Sequence, residues 1–271
     1  LDLLLKIPVI STLLKTKFKK TLGFSKVRTI ASGAAAMPQS LLDWFKSIDI
    51  YIHNGYGMTE NCCVCTNLDP YQDFGRGSVG KISSKSVKLK ITDKGEICMT
   101  GPFLLDSYYK NEKMTNETLV NGWLHTGDKG YIDKDGFLYI TGRVKDIFKT
   151  SKGKYIEPGI LETNFDSLSF FQQMCIVGMG LDQPLLLAVP GPEVQKNKDF
   201  VRLKLTEILE KVNSELDGYK KIKKIVFVKD EWTPENGLVT PTLKVKRSKI
   251  DNRFSDNYNN WYNSTEDIIW E

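Results

Sequence analysis

Apolar and polar positions follow two different periods along this chain, and the places where the period changes divide it into three stretches. Residues 27–32 (Val-Arg-Thr-Ile-Ala-Ser) read as a strand entering the small-residue turn Gly33-Ala34-Ala35-Ala36. Pro38 then opens a helix carrying Leu41, Leu42, Trp44 and Phe45, and a second strand over 48–53 runs into Asn54-Gly55. Strand–helix–strand order predicts a parallel α/β layer, in which ligands sit beyond the carboxyl ends of the strands. From residue 78 the texture changes. Val87, Leu89 and Ile91 alternate with Lys88, Lys90 and Thr92, the period of a half-buried strand. Asp93-Lys94-Gly95 turns the chain into a strand over 96–100, and Asp135-Gly136 predicts a hairpin between Tyr131-Ile132 and residues 137–140.

Beyond Gly142-Arg143 the pattern shifts again. Residues 174–177, 185–189 and 222–228 read as strands. Val201, Leu205, Ile208, Leu209, Val212 and Leu216 recur at helical spacing, predicting a helix over 199–217 stopped by Gly218. Residues 232–242 are a turn-rich loop, and residues 252–271, rich in Asn, Asp and Tyr, are expected to fray. The predicted class is α/β: residues 1–143 form an α/β layer to about residue 75 followed by a β subdomain, and residues 144–271 form a small α+β domain.

Composition adds bounds. A hydrophobic fraction of 41% and a charged fraction of 26% are those of a globular protein. The apolar stretch from Leu3 to Leu14 is broken by Lys6 and Pro8, too short for a membrane span of about 20 residues. It also lacks the basic start of a signal peptide. The chain begins at Leu1 rather than Met, so these residues are expected to continue something upstream. The expected location is cytoplasmic, or peripheral to the endoplasmic reticulum or another membrane. The cysteines at 62, 63, 65, 98 and 175 are expected to be reduced thiols, and with only His53 and His125 to join them no zinc site is expected. A net charge of +5 is gathered into three clusters: Lys15, Lys17, Lys19 and Lys20; Lys220, Lys221, Lys223 and Lys224; and Lys244, Lys246, Arg247 and Lys249. Such clusters are usually solvated faces, but they also suit nucleotide phosphates or anionic lipid headgroups. No nucleic-acid partner is expected.

Three motifs carry candidate chemistry. Gly55-Tyr56-Gly57-Met58-Thr59-Glu60 follows a predicted strand. Its glycines permit close backbone approach to a flat ligand, the tyrosine offers a stacking face, the threonine hydroxyl can donate to a phosphate, and Glu60 can hold Mg²⁺. In Gly122-Trp123-Leu124-His125-Thr126-Gly127-Asp128, an aspartate between tight turns can accept two hydrogen bonds from a ribose diol, with Arg143 fifteen residues on able to reach the same ribose or the phosphate. In Leu238-Val239-Thr240-Pro241-Thr242-Leu243-Lys244-Val245-Lys246-Arg247, Lys244 sits on a stiff, proline-anchored segment able to deliver one positive charge to a reacting phosphate or carboxylate. Taken singly, each is as readily a structural turn, a turn-forming aspartate or a basic terminal strand.

In this order and at these separations the motifs resemble the AMP-forming ligase superfamily, which includes acyl-CoA synthetases, coumarate ligases, luciferases and peptide-synthetase adenylation domains. The resemblance covers about residues 24–250 and is similar to the long-chain fatty acid branch in Gly-Trp-Leu-His-Thr-Gly-Asp, Val144-Lys145-Asp146-Ile147-Phe148-Lys149 and Asn236-Gly237-Leu238-Val239-Thr240-Pro241-Thr242. It implies the end of a large adenylate-forming domain followed by a mobile C-terminal lid. It also implies ATP-dependent activation of a fatty acid to acyl-AMP, then thioester formation with coenzyme A. By position, Gly33, Ala34, Ala35, Gly55, Tyr56, Gly57, Met58 and Thr59 would line the adenine and α-phosphate, and Glu60 would bind Mg²⁺. Asp128 and Arg143 would hold the ribose beside Ile140. Lys244, with Thr59 and Glu60, would be catalytic, Lys145 would be the hinge, and Ser151, Lys152 and Gly153 would meet coenzyme A.

The family's phosphate loop and acyl-binding part have no counterpart in the chain, which is therefore expected to be a fragment. Leu243 stands where much of the superfamily has glycine before the lysine. Three alternatives stay open: a ligase for an aryl or medium-chain acid, a non-catalytic nucleotide- or acyl-CoA-binding fragment, and a basic protein that binds charged surfaces. The literal Gly-x-Gly-x-x-Gly at 75–80 precedes a strand rather than a helix and is not a dinucleotide site. Asp133, Asp135 and Gly136 make a hairpin turn rather than a calcium loop, and the absence of Gly-x-Ser-x-Gly counts against a serine hydrolase.

Overall fold

A computed structural model of the protein describes residues 8–34, 37–63, 65–71 and 75–271. The chain is α/β and divides into two compact units, the first ending at Ile140 and the second spanning Thr141–Glu271.

In the first unit, α1 (Pro8–Thr21) and α2 (Gln39–Ser47) accompany a sheet of β1 (Ile30–Ser32), β2 (Ile52–Tyr56), β3 (Thr66–Leu68) and β4 (Lys81–Ile82), in that order. β1 and β2 are parallel, with Ser32 opposite Asn54, while β3 and β4 are antiparallel. The predicted strand over 48–53 is shifted. Ile48, Ile50 and Ile52 are buried at the expected alternation, but Ile48 caps α2 and Asp49 turns at φ +58°, so pairing starts only at Ile52. Asn54-Gly55, predicted as a turn, lies inside the strand. This apolar patch packs against Phe18, Phe24, Ile30, Trp44 and Phe45.

A second sheet contains β5 (Lys88–Ile91), β6 (Glu96–Thr100), β7 (Leu119–Val120), β8 (Trp123–Ile132) and β9 (Leu138–Arg143), with α3 (Glu112–Thr118) leading into β7. Lys88 and Lys90 are exposed and Leu89 and Ile91 half-buried, the alternation read from sequence. Ile97, Met99, Leu124 and Leu138 meet Tyr56, Cys65 and Val79 in one apolar cluster that joins the two sheets.

The second unit begins with the short hairpin of β10 (Phe148–Lys149) and β11 (Tyr155–Ile156), then α4 (Pro158–Glu162). Its sheet runs β12 (Phe171–Val177), β13 (Leu185–Pro190), β14 (Ile225–Phe227), β15 (Ile268–Trp270). Successive side chains of a strand point to opposite faces. Ile176, Leu186, Ala188, Ile225 and Phe227 therefore face Val201, Leu205 and Leu209 of α6 (Lys198–Ser214), which follows the short α5 (Pro192–Lys196). Cys175, Val177, Leu185, Leu187 and Val226 face α7 (Arg247–Phe254) and α8 (Tyr258–Tyr262). β13 is buried from Leu185 to Val189, as a strand covered on both faces must be. α6 ends at Ser214, three residues short of the predicted end, and its C-cap Glu215 donates its backbone N–H to Val212 and Asn213.

The tail expected to fray is ordered. Ile250, Phe254, Tyr258 and Trp261 recur at helical spacing among the Asn and Asp residues and are 0–7% exposed. Ile268, 1% exposed, enters the sheet beside Ile225. Composition alone conceals these anchors. Trp261→Ala is expected to cost about 3–5 kcal/mol through the cavity it leaves, read as a lower denaturant midpoint at an unchanged slope.

Candidate functional site

In the first unit β2 carries Gly55 and Tyr56, and the Tyr56 ring is buried in the apolar cluster rather than standing as an open stacking platform. Its hydroxyl donates to Asp128 Oδ2 at 2.7 Å, joining motifs 72 residues apart. Burial, then the Asp128 charge, push the Tyr56 hydroxyl far up, so it stays a donor.

Asp128 lies within β8, not between tight turns as predicted, and a bulge aims it. Cys98 pairs with His125 and Glu96 with Lys129, so residues 126–128 stand opposite Ile97 alone. Gly127 supplies the φ of +71° this requires. The bulge is stapled from β6: Glu96 Oε1 accepts the Gly127 N–H at 3.0 Å, and Glu96 Oε2 lies 2.9 Å from His125 Nδ1. Thr126 Oγ1 donates to the Ile97 carbonyl at 2.7 Å and accepts the Asp128 N–H at 3.1 Å. Sequence reasoning gives Glu96 no role and places His125 in the Gly122–Asp128 motif without a partner, because their contacts are set by pairing across the sheet.

Glu96, Cys98 and His125 place ligand-type atoms within 4.8 Å of one another, the one such group among the described residues. Glu96 is already engaged by Gly127 and His125, and burial pushes the Cys98 thiol up to about 11, so these contacts make a structural staple. Cys62 and Cys65 stand at Cys-x-x-Cys spacing, but Cys62 is exposed and Cys65 is buried in the apolar cluster.

The chain after Tyr56 folds tightly. Asn61, 2% exposed, accepts the Met58 N–H at 2.9 Å and donates to Met99 Sδ. A Cβ on Gly57 would lie 2.5 Å from the Cys63 backbone, so the loop's own closure requires glycine here. Gly55 is likewise constrained from within, its Cβ position lying 3.0 Å from the Thr66 carbonyl. Thr59 is exposed. Glu60 is half-buried, with Oε1 accepting the Tyr108 hydroxyl at 2.7 Å. Gly33 follows β1, and a Cβ there would lie 3.4 Å from the Gly55 carbonyl; Ala34 turns at φ +66°. Gly33, Gly55, Tyr56 and Asp128 are thus assembled in one region, whereas Ala35 lies outside the described residues. Ile140 is half-exposed on β9.

In the second unit, Arg143 is exposed at the end of β9, and Lys145 is exposed in the single helical turn Val144–Asp146. Ser151 and Lys152 both engage the Asp182 carboxylate, the former by hydrogen bond and the latter at 3.0 Å. Together, Ser151 first, they hold its carboxyl below the usual range. Gly153 turns at φ +72° with open space around it. Lys244 is exposed on a narrow ladder in which Val239 bridges Val245 and the Thr240 N–H donates to the Lys244 carbonyl. Leu243, the departure noted in the sequence, holds φ +61°, a left-handed conformation that favours glycine. No described helix is long and apolar enough to cross a membrane.

The AMP-binding enzyme family matches residues 7–109, and the AMP-binding enzyme C-terminal domain matches residues 145–266. The chain belongs to the AMP-binding enzyme family. This AMP-binding enzyme chain is 30% identical, over 96% of its length, to fatty acyl-CoA synthetase B of Dictyostelium discoideum, and covers 44% of that protein. It is 32% identical, over 91% of its length, to the peroxisomal long chain acyl-CoA synthetase 7 of Arabidopsis thaliana, covering 40% of it. The chain thus spans less than half the length of these relatives. Among solved structures it is similar to o-succinylbenzoate CoA synthetase of Bacillus subtilis in complex with the acyl-adenylate intermediate, with a TM-score of 0.69 and 26% identity over 87% of this chain and 49% of that one.

Two substitutions in this AMP-binding enzyme test the geometry. Tyr56→Phe is expected to cost about 1.5–3 kcal/mol, since it strips a hydrogen bond from a carboxylate, and denaturant unfolding measures it. Leu243→Gly relieves the left-handed strain and is expected to stabilise by up to about 1 kcal/mol, seen as a higher melting temperature.

Proposed function

We propose that this chain is the nucleotide- and lid-bearing part of an AMP-forming ligase that activates a long-chain fatty acid to acyl-AMP and passes the acyl group to coenzyme A. The observation that carries the reading is the Tyr56–Asp128 hydrogen bond, which puts the two motifs assigned to the nucleotide at one place. The names of the Dictyostelium and Arabidopsis relatives support the fatty acid.

In this reading Gly33, Ala34, Ala35 and residues 55–59 line the adenine and α-phosphate. Asp128 accepts from the ribose hydroxyls, with Ile140 and Arg143 beside them. An aspartate fixed by Tyr56 and a stapled bulge fits that task, because an acceptor of set position selects a diol without reorganising. Glu60 fits Mg²⁺: Tyr108 pins Oε1, while Oε2 makes no hydrogen bond to the described residues. The cation would neutralise phosphate charge. Thr59, exposed beside it, donates to the phosphate. Lys244 places its charge between the carboxylate and the α-phosphate, where negative charge grows during adenylation. Lys145 is the hinge about which the second unit turns, bringing Ser151, Lys152 and Gly153 to coenzyme A in place of Lys244. The Lys15–Lys20 cluster on α1 suits peripheral contact with anionic lipid.

The B. subtilis neighbour is named for an aryl-acid substrate, which keeps a second carboxylate class in view. Acid-dependent ATP–pyrophosphate exchange and thioester formation by the full-length protein, across palmitate, medium-chain, aryl and acetate substrates, separate the classes. Palmitate is expected to support both; activity with coumarate or acetate but not palmitate overturns the fatty-acid reading. Lys244→Ala is expected to lower exchange by about 10²-fold or more while sparing transfer from supplied acyl-AMP. Equal loss of both steps would count against its role.

A further inference from the structure

Arg247 is the most heavily engaged side chain of the second unit that the chemistry above leaves unused. It opens α7, and its side chain is 12% exposed. Nη2 donates to both Glu162 oxygens, at 2.8 and 3.0 Å, and Nη1 donates to the Ile176 carbonyl and lies 3.0 Å from Cys175 Sγ. Glu162 also accepts the Ile176 N–H at 2.7 Å. One cation thus pins the end of α4, the strand β12 and the start of α7. With Nη2 on the Glu162 carboxylate and Nη1 on the Ile176 carbonyl, bonds from two nitrogens of one planar group fix the buried cation in direction as well as charge.

Two further groups give this point its reach. Asp146 Oδ2 lies 3.6 Å from Nε, a charge contact too long for a hydrogen bond, and Nε is buried without an acceptor. Asp146 directly follows Lys145 and ends the turn Val144–Asp146. On the other side, Lys244 precedes Arg247 by three residues, and the chain between them is stiff. The Lys246 N–H donates to the Leu238 carbonyl, Val239 bridges Val245, and the Lys244 N–H donates to Thr240 Oγ1.

We propose that Arg247 is a positioning residue for Lys244: it roots the Lys244 stem and the segment just after Lys145 at one buried point, so that the two move as one rigid piece. The proposal rests on the reading of Lys244 given above. A lysine at 247 keeps the charge but not the planar fork that fixes direction.

The test uses the full-length protein with Arg247→Lys, and Lys244→Ala as reference, reading ATP–pyrophosphate exchange against ATP concentration, thioester formation from supplied acyl-AMP, and thermal melting. Arg247→Lys is expected to lower the kcat of exchange about 10- to 100-fold, the loss a misplacement near 1 Å produces. The KM for ATP and transfer from acyl-AMP should stay within about threefold of the parent. Exchange kcat unchanged in folded Arg247→Lys overturns the proposal, as does equal loss of both half-reactions in step with melting. Should Arg247→Lys fail to fold, Asp146→Asn, which alters only the long contact, decides: exchange lowered about threefold or more with transfer retained supports the proposal, and unchanged exchange overturns it. If Lys244→Ala leaves exchange intact, the role of Lys244 falls and this proposal with it. If Lys244→Ala abolishes exchange while Arg247→Lys does not lower it, the positioning role alone falls.

Discussion

The first unit depends on a hydroxyl that burial keeps protonated meeting a carboxylate that a stapled bulge aims. Tyr56 reaches Asp128 from inside an apolar cluster, where its ring fixes the donor and burial keeps the proton on it. Asp128 is aimed by the extra residues at 126–128, which Glu96 and Thr126 clamp from neighbouring positions. Each piece is ordinary alone. In combination they hold a negative group at a set position in a surrounding that rewards few other partners.

The second unit solves a related problem with opposite charge. A central strand buried on both faces leaves little room for a polar group, yet Arg247 lies against its neighbour β12 and is matched by Glu162. Removing either partner of such a pair leaves a buried charge uncompensated, a penalty of about 3–5 kcal/mol. The arrangement therefore resists drift at the joint between ladder and helix.

Much of the fold is legible in local pattern. The strand–helix–strand order, the alternation at 87–91 and the α6 stripe need only neighbours in sequence. What sequence pattern missed needs neighbours in space. The bulge at Gly127 cannot be seen without Ile97 opposite it, and Glu96 and His125 gain meaning only through that pairing. Asn54-Gly55 reads as a turn until β3 pairs with it. Arg247 reads as one more cation in a basic run until Glu162 is found 85 residues away. The tail was missed for another reason: polar composition outweighed the spacing of Ile250, Phe254, Tyr258 and Trp261. In the motifs, the residue types were legible but some reasons were not, since Gly57 is demanded by Cys63 and Tyr56 is packed rather than presented.

The placement of β15 bears on when the second unit can fold. Ile268, Ile269 and Trp270 complete a sheet whose other strands were made from residue 171 onward, and Trp270 stacks on Phe227 at 4.3 Å. During synthesis the sheet stays open at the β14 edge until Trp270 has left the ribosomal tunnel. Until then Ile225, Val226 and Phe227, paired with β13 on one side, present an apolar strand with one open edge, a state exposed to chaperones and to wrong partners alike.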